Sequence, residues 1–168
     1  MPPPRRPVDT PVTVPLLDRL IDFEPRNPNE APFSRAQTVR LLKESLRRDL
    51  AWLLNSRRIA VPPDPALTEL NRSLYQFGLP DLTSFSIANP RDRSSVLRVL
   101  QHTISIFEPR LSNVRVVPVE DTELGSRTLR FRIEAWLQMD PAPEVIYFDT
   151  VLQLMSGEVK IKGDTDAG

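Results

Sequence analysis

The spacing of apolar positions changes character once along this chain, near residue 110. Before that point apolar residues recur every three or four positions, and after it they alternate. Ser34 followed by Gln37 is a capping-box pair, in which each side chain satisfies a backbone N–H of the other. Behind it Val39, Leu42, Leu46, Leu50, Leu53 and Leu54 keep helical spacing to about residue 56, which predicts a long helix with one apolar face. The opposite face carries Arg40, Lys43, Glu44, Arg47 and Arg48 and reads as a solvated surface. Arg57 and Arg58 follow where the helix dipole favours cations.

Asp64-Pro65 is a second start signal. Leu67, Leu70 and Leu74 then predict a short helix with one apolar stripe, closed by Gly78 as a left-handed cap. Asn89-Pro90 opens a third helix with core face Val96, Leu97, Leu100, Ile104 and Phe107. It must stop near Glu108, because the residue before Pro109 is pushed out of helical geometry.

From there the period is 2. Val114 and Val116 come first, then Leu129, Phe131, Ile133, Ala135, Leu137 and Met139 on one face, with Arg130, Arg132, Glu134, Trp136 and Gln138 on the other. Ile146, Phe148, Thr150, Leu152 and Leu154 form a third run, and Ser156-Gly157 turns the chain into Glu158-Val159-Lys160-Ile161-Lys162. Helices first and a meander last predict an α+β fold: three helices packed on one face of a C-terminal, mainly antiparallel sheet of three to four strands. Pro118 marks its strand as an edge or a bulge. Val159, Lys160 and Ile161 lie in the candidate free edge, with the lysines as charges that discourage promiscuous pairing.

Nine of the 18 prolines fall in the first 32 residues, a spacing that forbids helix or ladder over most of that stretch. The organisation predicted is a proline-rich arm over 1–32, one α+β domain over 33–162 and a loose tail over 163–168. Within the arm, Leu16-Leu17-Asp18-Arg19-Leu20-Ile21 is an amphipathic turn too short to stand alone. Leu16, Leu17 and Leu20 need a receiving surface, on this domain or on a partner.

Composition narrows the chemistry. There is no cysteine, so disulfides, thiolate metal sites and thiol nucleophiles are excluded. No run of about 18 apolar residues and no apolar leader occurs, so a soluble, intracellular protein is expected. The 22 basic residues balance 22 acidic ones, which removes the field that gathers phosphates and argues against a nucleic-acid adaptor built on Arg57, Arg58, Arg91 and Arg93. Only Lys43, Lys160 and Lys162 are lysines. The preference for arginine fits bidentate pairing with carboxylates at protein contacts, or a coding bias.

The tetrapeptide Phe-Glu-Pro-Arg occurs twice, at 23–26 and 107–110, with unlike flanks. The first copy lies in the arm and reads as coincidence. The second sits at a helix–strand joint, where Pro109 is a rigid ring and Glu108 and Arg110 flank it. Such a pair either pins the corner internally or faces outward as a docking key for another chain.

Several fragments together resemble the TssE family of type VI secretion baseplate proteins and the phage baseplate wedge family that shares its fold. They are Leu16-Leu17-Asp18-Arg19-Leu20, Asp49-Leu50 leading to Leu53-Leu54-Asn55-Ser56-Arg57-Arg58, Tyr75-Gln76-Phe77-Gly78-Leu79-Pro80-Asp81, and Phe107-Glu108-Pro109-Arg110-Leu111. The likeness spans about Leu16 to Ile161 and departs at Gln76-Phe77, where the family more often has a small polar or Asn residue and a Tyr. The resemblance implies a structural protein that joins the baseplate wedge to the first layer of the contractile sheath. It implies wedge proteins of the TssF, TssG and TssK types and sheath subunits as partners, in a cytoplasmic baseplate docked at the inner membrane complex. It assigns wedge contacts to Glu108, Pro109 and Arg110 and strand exchange to the C-terminal sheet.

The family's lysozyme-like label raises the alternative of a peptidoglycan-cleaving enzyme. Glycoside hydrolysis needs a carboxylic acid kept protonated and a second carboxylate across a cleft. Glu108 beside Arg110 would be stabilised as the anion, the wrong direction. His102 is the lone histidine, five glycines form no phosphate loop, and no catalytic residue, metal site or cofactor is expected.

Overall fold

The computed structural model describes residues 15–21, 34–119, 128–140 and 142–164. The first Phe-Glu-Pro-Arg copy, most of the proline-rich arm and the last four residues lie outside them.

The long predicted helix is α2 (Arg35–Asn55), preceded in the chain by the short α1 (Leu16–Leu20). Ser34 caps α2 as its sequence requires: its Oγ accepts from the Gln37 backbone N–H, and Gln37 Oε1 accepts from the Ser34 N–H. Leu42, Leu46, Leu50, Leu53 and Leu54 are buried. The face expected to be solvated is only partly so. Lys43 reaches Glu144 at 2.7 Å, and Arg48 is bound into a charged network described below.

The helix predicted behind Asp64-Pro65 is broken. Only α3 (Thr68–Asn71) and one 3₁₀ turn (Leu74–Gln76) form. Leu67 and Leu74, assigned to a core stripe, are exposed. The Ser73 hydroxyl accepts from the Tyr75 N–H and so offers the backbone a turn in place of a helical bond. Gly78 has the positive φ expected of it, +101°.

The third long helix, α4 (Pro90–Phe107), is capped by Asn89 and ends at Glu108. It leads directly into β1 (Leu111–Pro118), followed by β2 (Thr128–Leu137), β3 (Glu144–Gln153) and β4 (Glu158–Asp164). The sheet is an antiparallel meander in the order β1-β2-β3-β4. β1 carries a register shift between Ser112 and Arg115, with Asn113 at φ 50°. It is an outer strand, as Pro118 suggested. β4 is the other outer strand and runs two residues beyond Lys162.

α4 lies over β1 and α2 over β4, so both long helices cover the same sheet face. Phe131, Ile133, Leu137, Ile146, Phe148 and Leu152 fill the layer between. Alternation dictates this, since a strand with every second residue apolar can bury only one face. The other face keeps Arg130 and Trp136 exposed, and Arg132 pairs across strands with Asp149 at 2.7 Å.

Candidate functional site

The Glu108-Pro109-Arg110 corner is built from inside outward. Helix α4 ends there because Pro109 follows, which leaves Glu108 with its side chain only 6 % exposed. Its carboxylate grips the Arg110 guanidinium side-on: Oε1 accepts from Nε at 2.6 Å and Oε2 from Nη2 at 2.5 Å. The outward display of both side chains does not occur. A carboxylate sealed at this joint needs a compensating cation, and Arg110 two residues on supplies one. Pro109 is exposed, and Arg110 keeps part of its surface.

Arg110 also reaches across the fold. Its Nη2 donates to Asp49 Oδ2 at 2.8 Å and its Nη1 to Ser45 Oγ at 3.4 Å, both on α2. Arg48, on the same helix, bonds Asp49 at 3.1 Å and Asp18 of α1 at 2.8 Å. The Ser45 hydroxyl donates to the second oxygen of Asp18 at 2.5 Å. Three carboxylates and two guanidiniums therefore alternate from α1 through α2 to the α4–β1 corner. Burial works against the charge on Arg110, yet Glu108 and Asp49 more than reverse this and hold the guanidinium more firmly protonated than usual. Burial likewise pushes the Asp18 carboxyl up, but Ser45, Arg48 and Arg110 together bring it below its ordinary value.

This network docks α1 by its acid and not by its leucines. Leu16, Leu17 and Leu20 stay 66 %, 51 % and 73 % exposed, so the domain itself does not receive them. Arg48 lies over the ring of Trp52, 5.7 Å from its centroid, and Trp52 is itself exposed. Arg48 is thus held by Asp18 of α1 and packed over the Trp52 indole.

A second constellation joins the end of α2 to the sheet edge. Asn55 donates from Nδ2 to the Val159 carbonyl and accepts at Oδ1 from the Val159 N–H, both at 2.9 Å. Arg57 donates to the Gly157 carbonyl at 3.0 Å. Ser56 and Arg58 bond the backbone of Leu79, and Phe77 packs edge-on against Phe107 at 5.4 Å. The fragments noted in the sequence hence meet in space: the first, second and fourth share the charged network, and the second and third meet around the end of α2. Val159, assigned to a free edge, is buried and has its outward backbone groups occupied. Lys160 is exposed and Ile161 half-buried. On the opposite edge Gln101 of α4 accepts from the Val116 N–H at 3.3 Å.

Sequence reasoning quoted Asp49 and Asn55 without giving either a role. The sequence marks Asn55 only as an amide near a helix end, and its strand partner is 104 residues away. Asp49 has Arg48 beside it in the sequence, but nothing local marked its second partner, Arg110, 61 residues away.

The model of the family described as baseplate wedge protein gp25 matches residues 40–142. The chain belongs to that family. Membership makes this gp25-family protein a structural component of a baseplate, and the match takes in Asp49, Asn55, Gly78 and the whole α4–β1 corner. No curated protein and no solved structure matches the chain. Among the described residues of this gp25-family chain no helix is long and apolar enough to cross a membrane.

Proposed function

We propose that this protein is a non-catalytic assembly subunit of a type VI secretion system. In this reading it is cytoplasmic, sits in a baseplate docked at the inner membrane complex, and joins the wedge to the first layer of the contractile sheath. Its partners are wedge proteins of the TssF, TssG and TssK types and the sheath subunits. The observation that carries the reading is the position of β4: the last strand in the sequence is also an outer strand of the sheet. Its far side can therefore pair with an extended segment of another chain.

The α1 leucines and Trp52 suit the wedge partner, because large apolar side chains left exposed on α1 and on the helix that anchors it are an interface composition. Glu108 serves that surface indirectly. It holds Arg110, Arg110 holds Asp49, and the chain of ion pairs seats α1 with its leucines outward. Pro109 and the open part of Arg110 remain for direct contact.

The test uses the full chain. Removing β4 would strip out buried Val159, so Ile161→Pro is the sharper variant. Proline at an edge position deletes an outward N–H and keeps the inner ladder. Loss of sheath initiation with an unchanged fold is expected, and normal sheath polymerisation would remove the strand-exchange reading. A peptidoglycan-release assay addresses the enzymatic alternative, which turnover abolished by Glu108→Gln would establish.

A further inference from the structure

The carboxamide of Asn55 meets Val159 as a paired strand residue would. In an antiparallel ladder, a hydrogen-bonded pair exchanges one N–H···O bond in each direction. Asn55 Oδ1 and Nδ2 reproduce both, at 2.9 Å each. The orientation of the amide is fixed, since Nδ2 also donates to the Ala51 carbonyl at 2.8 Å and a flipped group would oppose all three bonds. Asn55 is the last residue of α2 and is held there by its helix. Arg57, two residues on, fastens the β3–β4 turn at Gly157.

Val159 therefore turns its backbone away from β3, and so does Ile161, because alternate residues of a strand face the same way. Between Ile161 and Asp164 the register against β3 shifts, which ends regular pairing. The regular edge of β4 thus consists of two outward positions, and one of them is plugged. A strand added at Ile161 alone makes one hydrogen-bonded pair. A strand added at both positions must displace the amide.

The geometry points to Asn55 as a gate on the β4 edge, closed in the free subunit and displaced by the incoming strand of a partner. This inference rests on the strand-exchange reading above and adds the residue that controls it. The side chains flanking the edge state the chemistry of the strand. Lys160 and Lys162 are exposed on the outer face, while Val159 and Ile161 lie on the core side. An extended segment that alternates carboxylates with β-branched apolar residues places its acids beside the lysines and its apolar side chains beside Ile161. The closed amide also explains how an outer strand avoids adding to a second copy of itself, because a side chain already occupies the site where such pairing would begin.

The probe is a synthetic peptide of about eight residues alternating valine and glutamate, long enough to cover the edge at strand rise, with a valine–lysine peptide as the control. Isotope-labelled full-length protein is titrated with each. With the glutamate peptide, the Ile161 amide should gain protection from exchange and the Asn55 side-chain NH₂ signals should move to solvent-like positions. The lysine peptide should do neither. Asn55→Ala should bind the glutamate peptide about fivefold more tightly or better, since the incoming strand no longer competes with the amide.

Equal affinity for wild type and a folded Asn55→Ala, or no binding to that open variant, overturns the gate. Unmoved Asn55 signals while Ile161 gains protection overturn it as well, and that readout needs no variant. Failure of the strand-exchange reading looks different: native sheath subunits would then fail to engage the protein, whatever residue stands at position 55.

Discussion

Asp49 Oδ2 lies 2.8 Å from Arg110 Nη2, across 61 residues of chain. With the Ser45 hydrogen bond it ties α2 to the α4–β1 corner, and it carries the corner's charge to the arginine that anchors α1. Removing Glu108 strands Arg110 with a single carboxylate, so Glu108→Ala should cost about 3 kcal/mol. Asp49 is more exposed, and Asp49→Ala should cost about 1 kcal/mol. Urea unfolding of both variants and of the double variant measures this. A non-additive double variant is expected, because the two acids share one cation.

The docking of α1 should depend on acid. Asp18 titrates below its ordinary value of 3.8 in the folded protein, so its contribution is complete above the unfolded value. It is lost as the pH falls through the lower folded value. Amide exchange in residues 16–20, followed from about pH 6 to about pH 2, should show α1 releasing at the acid end of that window. Asp18→Asn should release it at neutral pH.

Two glycines separate by what a methyl group would meet. At Gly78, φ is +101° and an added Cβ would lie 2.5 Å from the Ser56 carbonyl oxygen, which is backbone and cannot yield. At Gly157, φ is +66° and the clash is with the end of the Arg57 side chain. Gly78→Ala should cost about 3 kcal/mol and Gly157→Ala about 1 kcal/mol, read by thermal unfolding. The second variant should also break the Arg57 bond and speed exchange around the β3–β4 turn.

Among the described residues, Gln76 Nε2 is buried with no hydrogen-bond partner. An unpaired buried amide is a standing cost, and Gln76→Met keeps the volume while removing the polar group. It should raise stability by about 1 kcal/mol in denaturant unfolding. A loss of that size instead would mean that the amide is satisfied in solution.

The elements themselves were legible in sequence. Ser34-Gln37, Asn89-Pro90 and Glu108-Pro109 gave helix boundaries, and the switch to alternation at Val114 gave the meander, because each signal acts between residues a few positions apart. The second predicted helix failed where a single hydroxyl, Ser73, outweighed a weak apolar stripe. The direction of Glu108 was not legible either. The same four letters permit a corner pinned from within and a corner turned outward, and the choice rests on Asp49 and Ser45 from another helix.

By itself, the sequence determined the two long helices, a meander of three to four strands, the buried face of the helices and central strands, and the order in which they follow. Near neighbours and periodicity encode those features directly. Tertiary structure alone decided that Asp18, Asp49 and Glu108 share two arginines, that the α1 leucines stay outside, and that Asn55 closes on Val159, 104 residues away. Contacts of that range depend on how finished elements stack, and no spacing along the chain records the angle at which a helix end meets a sheet edge.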